Sequence, residues 1–164
     1  MKSVDSFKDL FLEQLRDRYD AAKQQAEMYP KLQQATTSPT LQRIIQEDIA
    51  SNQSHLEKLA ELFTTMGEQP DGEQCEGTQG LIHEAHELLD YTKSGSIRDV
   101  GIAMSVQHIN HHDIAGYSGC IVYAEAHGDS EIAQILQQML DEEVTTDELL
   151  KDIITQIVQE HNAS

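Results

Sequence analysis

Apolar side chains recur every three or four residues through most of the 164-residue chain. This spacing places them along one face of a helix, which can then pack against other helices. Helix-start and helix-stop residues separate the stripes, at Ser38-Pro39, Gly67, Ser94-Gly95 and Gly128-Asp129. The pattern predicts helices at about residues 7–35, 39–66, 80–93, 97–127 and 130–160, with a loop before the short third helix.

Four long helices and one short helix, joined mostly by tight turns, are typical of an antiparallel bundle. We therefore predict an all-α fold, a ferritin-like up-down four-helix bundle with one additional short helix, over residues 1–164 as a single domain. The chain has only three prolines and no tryptophan, and it lacks the many turn signals that a sheet protein of this size needs. An exposed apolar stripe on the first or second helix would be the natural surface for a dimer.

Polar residues interrupt the apolar stripes near the middle of three long helices. They are Asp48, Ser51, Asn52 and His55 in the second helix, residues 107–113 in the fourth, and Glu143 and Asp147 in the fifth. A buried carboxylate without a partner is costly, so a bundle tolerates inward polar groups only if they pair or bind something. Metal centres in bundle cores use carboxylates and histidines at such positions on facing helices. The pattern predicts a polar layer in the middle of the core, and metal binding is one interpretation of it.

A hydrogen-bonded network is the other interpretation. Glu143 and Asp147 are either metal ligands or members of such a network. Asp113 is either a ligand or the partner of a tyrosine such as Tyr19. The candidate partners of Glu143 and Asp147 are His55, His111, Asn52 and Asn110.

Three histidines within five residues, His108, His111 and His112, have helical spacing suited to a borderline metal such as zinc. They cannot all point in one direction from a helix, so most of them are expected at the surface or behind other ligands. No nucleophile–base pair and no glycine-rich phosphate loop stands out in the sequence. We therefore assign no catalytic residues.

The charge balance is strongly acidic, with 29 Asp and Glu against 11 Lys and Arg, a formal net charge of −18. Such a charge repels phosphate backbones and anionic headgroups, so nucleic acid and membrane surfaces are not expected partners, whereas a basic protein is. Cys75 and Cys120 have no paired spacing, and the N-terminus lacks the layout of a signal peptide. These features predict a reduced, cytoplasmic protein.

Five short segments stand in a defined order along nearly the whole chain. They are LRDRYDAAKQ at 15–24, HLEKL at 55–59, GLIHE at 80–84, DIAGY at 113–117 and LDEEVTTD at 140–147. In their order and spacing the chain resembles the YciE/YciF-like family of bacterial stress-associated proteins, a branch of the ferritin-like superfamily. The resemblance implies a four-helix bundle with an extra helix, a homodimer, and a dinuclear metal centre between the helices.

The chain departs from this family pattern at several implied ligands, where it carries Ala22, Ser51 and Asn110. Fewer carboxylates supply less of the negative charge that holds two metal ions together. We therefore expect a degenerate or at most mononuclear site, with iron, manganese or zinc as the candidate metals. The alternatives are a working di-metal carboxylate oxidase or peroxide-handling protein and a metal-free structural or partner-binding bundle. The candidate ligands are Asp113, Glu143, Asp147 and His55.

Overall fold

The computed structural model describes residues 4–163, which contain five α-helices and no strand. The helices are α1 (Phe7–Ala35), α2 (Pro39–Met66), α3 (Glu76–Tyr91), α4 (Ser96–Ala126) and α5 (Ser130–Asn162). The predicted all-α class is confirmed, and the four long helices begin within one residue of their predicted starts.

The short helix α3 begins four residues before its predicted start, so the loop after α2 is shorter than expected. Cys75 caps this helix: its sulfur accepts a hydrogen bond from the backbone N–H of Thr78 at 3.4 Å. Serine, threonine, aspartate and asparagine are the usual caps, so a cysteine is not a strong signal for the start of a helix. At the other end, α3 stops at Tyr91, two residues early, where the N–H of Thr92 bonds to the carbonyl of Leu88 at 3.1 Å.

The other helix boundaries follow from their cap residues. The Ser6 hydroxyl accepts from the N–H of Asp9 at 3.1 Å and donates to its carboxylate at 2.6 Å, which fixes the start of α1. Ser38 accepts from the N–H of Leu41, and Pro39 occupies the first helical position of α2. Gly67 ends α2 in the left-handed conformation, with φ of 69°, which glycine adopts without steric cost.

The core consists of two hydrophobic clusters, one at each end of the bundle. One contains the C-terminal parts of α1 and α5 and the N-terminal parts of α2 and α4, and the other contains the opposite ends of the same four helices. It follows that α1 and α2 are antiparallel, α4 and α5 are antiparallel, and α2 and α4 run in the same direction. The connection from α2 to α4 therefore crosses the length of the bundle, and α3 lies along that crossing against α1 and α4.

Some apolar residues of the predicted stripes lie outside both clusters. Phe7 is 78 % exposed and Leu10 is 43 % exposed at the start of α1. Val122 on α4, 66 % exposed, lines the same apolar groove as these two residues. Within residues 4–163, none of the helices combines the length and the apolar character needed to cross a bilayer.

Candidate functional site

A layer of buried polar side chains separates the two hydrophobic clusters. Its members come from all four long helices and are each less than 7 % exposed. This arrangement confirms that the mid-helix breaks in the apolar stripes mark a polar layer inside the core. The mid-core layer consists of Arg18, Gln25, Asp48, Asn52, His55, Asn110, Asp113, Glu143 and Asp147.

One part of the layer, the Arg18 corner, joins α1 to α4 and consists of Arg18, Gln25 and Asp113. Nη1 of Arg18 lies 2.6 Å from Oδ1 of Asp113, and Nε2 of Gln25 donates to Oδ2 of the same carboxylate at 2.6 Å. Burial raises the pKa of Asp113, and the Arg18 guanidinium and the Gln25 hydrogen bond oppose that rise. Charge-assisted bonds of this length hold the carboxylate as an anion beside a permanent cation.

The Arg18 side chain reaches the layer because position 116 is a glycine. A Cβ atom at Gly116 would lie 2.5 Å from Cδ and 2.6 Å from Nε of Arg18. The guanidinium therefore passes directly over the backbone of α4 to reach Asp113. Its Nε atom is buried there and has no hydrogen-bond partner.

A second part, the His55 corner, joins α2, α4 and α5. It consists of the layer members His55, Asn110 and Glu143 together with Glu142, which lies outside the layer and is partly exposed. Nε2 of His55 lies 2.8 Å from Oε2 of Glu142, and Nδ1 lies 3.2 Å from Oε1 of Glu143. Asn110 donates through its side-chain amide to the remaining oxygen of Glu143. The outer acid of this chain, Glu142, also accepts from the Ser51 hydroxyl at 2.8 Å.

The pKa directions fix the protonation of the His55 corner. Burial lowers the pKa of His55, which is therefore neutral near pH 7. Burial acts to raise the pKa of Glu142, yet hydrogen bonds from Ser51 and His55 outweigh it and leave that pKa lowered. Burial raises the pKa of Glu143 well above its usual range, and the charges of Asp113 and Glu142 add to the rise. The consistent arrangement has His55 donating through Nε2 to ionised Glu142 and accepting at Nδ1 from a neutral Glu143 acid.

Asp48 is a member of the layer that the sequence indicated only as a neighbour of Asn52. It is 4 % exposed, and its Oδ2 atom is buried without a hydrogen-bond partner. Burial raises its pKa well above the usual range, and the charges of Glu143 and Asp113 add to the effect. The available signal was helical spacing, because Asp48, Asn52 and His55 stand four and three residues apart on one face of α2.

The structure answers which partners the candidate residues have. Glu143 lies with His55 and Asn110, as one of the two interpretations predicted. Asp147 lies at the rim of the layer, 2.9 Å from His111, with hydrogen bonds from Gln107 and Lys151 as well. Two predicted partners lie elsewhere. Asn52 donates to the backbone carbonyl of Ala22 at 2.9 Å and not to Glu143 or Asp147. Tyr19 packs edge-on against Phe63, and the partners of Asp113 are Arg18 and Gln25.

The donor set of the layer does not fit a two-ion centre. Asp113 is engaged by a guanidinium and an amide, and the implied ligand positions Ala22, Ser51 and Asn110 offer no carboxylate. Among residues 4–163, the one group of three His, Cys, Asp or Glu side chains with ligand atoms all within 4.8 Å of one another lies outside the layer, at Asp17, Cys75 and His112. The roles of the predicted metal ligands Asp113, Glu143, Asp147 and His55 stay a prediction.

Comparison with known proteins places this geometry in a family. The family described as "Domain of unknown function (DUF892)" matches residues 6–163. Protein YciF of Escherichia coli K12 is 28 % identical over 154 residues, which cover 93 % of this chain and 91 % of that protein. The crystal structure of the E. coli stress protein YciF superposes with a TM-score of 0.91 at 27 % identity, covering 95 % of this chain and 99 % of that chain. YcfI of Rhodopseudomonas palustris, which its description provisionally calls a structural protein, gives a TM-score of 0.87 at 30 % identity over 92 % of this chain and 98 % of that one.

Proposed function

Since the chain belongs to the DUF892 family, we propose that it is a stress-associated, ferritin-like bundle protein without a catalytic activity of its own. Its mid-core layer is a hydrogen-bonded network that stands in place of a two-ion centre and holds at most one metal ion. Two features support the proposal: the likeness to YciF, which is called a stress protein, and the single crossover between α2 and α4, which is the connectivity of ferritin-like bundles.

The observation that carries the proposal is the buried guanidinium of Arg18 inside the layer. A guanidinium cannot lose its charge in a protein, so it supplies a permanent cation beside Asp113. That charge repels a metal ion and occupies the carboxylate that the resemblance would assign to it. On the other side of the layer, the neutral Glu143 acid is already bonded to His55 and Asn110. The carboxyl groups of Asp113 and Glu143 are thus both engaged by side chains of the protein itself.

The proposal is tested by metal analysis of protein purified without a metal-affinity tag, followed by titration with ferrous iron in air. We expect at most one equivalent of iron or manganese and no oxo-bridged absorption band. Glu143→Gln, which preserves the hydrogen bonds, should leave the titration unchanged. Two equivalents of bound iron with such a band, lost in Glu143→Gln, would show a working di-metal oxidase and overturn the proposal.

A second function, partner binding by self-association, is favoured by the apolar groove between α1 and α4. In a chain with a net charge of −18, none of the residues that line this groove is Asp, Glu, Lys or Arg. A basic partner would need acidic groups at the contact, whereas a second copy of this acidic chain needs a face free of them. We therefore propose a homodimer that buries Phe7, Leu10 and Val122.

The dimer is tested by light scattering after size-exclusion chromatography. Val122→Glu should convert the dimer to a monomer because it buries a charge in the contact. Met104→Glu is the matched control, since Met104 is an exposed apolar residue of α4 that does not line the groove. A wild-type monomer, or a dimer that survives Val122→Glu, would contradict this surface. The cytoplasmic location of the protein also stays a prediction.

A further inference from the structure

Three potential metal ligands meet beside the mid-core layer, where α1, the start of α3 and α4 come together. They are the carboxylate of Asp17, the thiol of Cys75 and the imidazole of His112, and we call them the Cys75 cluster. Their ligand atoms all lie within 4.8 Å of one another, and the Cys75 sulfur is 3.3 Å from Oδ2 of Asp17. In a tetrahedral zinc site, neighbouring ligand atoms are about 3.5 Å apart. The sulfur–carboxylate distance already has this value, and the other two separations need to shorten by at most about 1.3 Å to reach it.

The imidazole of His112 presents a lone pair to the cluster. Its Nδ1 atom lies 2.8 Å from Nη1 of Arg18. A guanidinium can only donate, so Nδ1 is the unprotonated nitrogen, as a metal ligand must be. Burial and the Arg18 charge lower the pKa of His112, in agreement with a neutral ring. Gly77 makes room for this ring, because a Cβ atom there would lie 2.6 Å from Nε2 of His112.

The thiol of Cys75 is held at the N-terminus of α3. It is a free cysteine, 1 % exposed, and its sulfur accepts from the backbone N–H of Thr78. Burial raises the pKa of the Cys75 thiol, while its hydrogen bonds with Thr78 and the nearby charge of Arg18 act in the opposite direction. The thiol therefore keeps its proton in the absence of a metal and loses it when a metal ion binds the sulfur. Asp17 lies on α1, Cys75 caps α3 and His112 lies on α4, so the packing of these three helices brings the three side chains together.

A cation already lies where these donors converge. The Arg18 guanidinium contacts all three: Nη2 lies 2.5 Å from Asp17 and 3.5 Å from the Cys75 sulfur, and Nη1 contacts His112. The donors therefore select positive charge, and their combination of sulfur, nitrogen and oxygen suits a borderline metal. Arg18 retains a second anionic partner in Asp113, which can hold its charge when the cluster takes another cation.

We propose that Asp17, Cys75 and His112 form a binding site for a zinc-like divalent cation, which displaces the Arg18 guanidinium from the cluster. On binding, the Cys75 thiol releases one proton to solvent and the sulfur forms the metal bond, while Asp17 and His112 bind without losing a proton. Three protein ligands leave one coordination position for water. None of the three ligands belongs to the mid-core layer, although the displaced Arg18 does, so failure of zinc binding at the Cys75 cluster would leave the proposed function standing.

Zinc titration of tag-free, reduced protein against a chromogenic zinc chelator tests the site. Wild-type protein should bind one equivalent, and Cys75→Ser and His112→Ala should each weaken binding by at least about tenfold. Cys120→Ser and His108→Ala are the matched controls and should bind as the wild type does, because Cys120 lies in a hydrophobic cluster and His108 is an exposed residue of α4. Cobalt should give a thiolate charge-transfer band that disappears in Cys75→Ser.

Arg18→Gln tests the displacement directly. Removal of the competing guanidinium should tighten zinc binding, with helix content checked by circular dichroism. Weaker zinc binding by an Arg18→Gln protein with native helix content would overturn displacement. A wild-type protein that takes up no zinc, or zinc binding that Cys75→Ser leaves unchanged, would overturn the site itself. Ferrous iron titration of Cys75→Ser then reports on the mid-core layer alone.

Discussion

The Arg18 corner and the His55 corner lie in one buried layer, yet they neutralise their carboxyl groups in different ways. In the Arg18 corner, Asp113 is an anion held by a permanent cation at 2.6 Å. In the His55 corner, burial lowers the pKa of His55 and raises the pKa of Glu143 well above its usual range, which favours the neutral form of both groups. The first corner depends on an ion pair. The second depends on a hydrogen-bonded chain in which His55 and Glu143 are neutral and the outer acid, Glu142, is ionised.

This difference teaches that a buried carboxyl group alone does not indicate a metal site. Asp113 and Glu143 occupy comparable depths, and both were candidate ligands from the sequence. The identity of the nearest cationic or titratable side chain decides whether each is charged. The two corners should therefore differ in how much stability a mutation removes. Loss of a partner should cost much of the free energy of unfolding in the Arg18 corner and little of it in the His55 corner.

The largest effect is expected from Arg18→Met, which leaves Asp113 as an uncompensated buried charge. We expect a loss of about 3–5 kcal/mol in the free energy of unfolding, measured by urea denaturation. Arg16→Met is the control: Arg16 pairs with Glu68 at 3.2 Å, where both side chains are partly exposed, and its loss should be at most about 1 kcal/mol. Equal losses of unfolding free energy in the two variants would show that the buried ion pair contributes no more to stability than the partly exposed one.

Gly116→Ala should disturb the Arg18 corner without removing a charge. The new methyl group would overlap Cδ of Arg18, and a shift of the guanidinium should cost about 1–3 kcal/mol in unfolding free energy. Gly80→Ala on α3 meets no atom within 4 Å and should instead stabilise the protein by up to about 1 kcal/mol. Urea denaturation of both variants measures the contrast, and a stabilised Gly116→Ala would mean that Arg18 packs differently.

Glu143→Gln should be tolerated because an amide can donate to Nδ1 of His55 and accept from Asn110 as the neutral acid does. A raised folded-state pKa means that Glu143 contributes full stability below its unfolded pKa and loses that contribution as pH rises toward the folded value. The variant should match the wild type near pH 4 and become the more stable protein, by about 1 kcal/mol or more, as pH rises above neutrality. Urea denaturation across this pH range measures the difference. A variant that is less stable at every pH would indicate an ionised Glu143.

The smallest effect is expected at the rim of the layer, from Lys151→Met. Hydrogen bonds from Lys151 and Gln107 outweigh the effect of burial and lower the pKa of Asp147. A lowered acid pKa gives stability that is present above the unfolded pKa and lost as pH falls through the folded value. Lys151→Met should therefore reduce stability slightly at pH 7 and hardly at all at pH 3. A larger loss at pH 3 would contradict this assignment.

The fold was predictable because the apolar periodicity and the Ser-Pro and glycine signals act locally. The polar layer was also predictable, since Asn52, Glu143 and Asp147 interrupt otherwise apolar faces. The partners within it were not. Arg18 stands on α1 between Asp17 and Tyr19, and its own charge predicts a surface position. Its side chain enters the core because α1 passes close to Gly116 of α4, which has no side chain in the way. The Cys75 cap was missed because sulfur is a weak and uncommon acceptor at a helix start.

The division of the core into two hydrophobic clusters has a consequence for how the helices keep their register. In a bundle with an uninterrupted apolar core, sliding one helix by a turn, about 5.4 Å, exchanges one apolar contact for another. Here the same slide would carry Arg18 or Glu143 into a hydrocarbon environment and leave its partner behind. The polar layer thus acts as a lock: it prevents one helix from sliding along its axis relative to the others. Amide hydrogen exchange should then show both ends of the bundle opening together, because neither end can shift while the lock is intact.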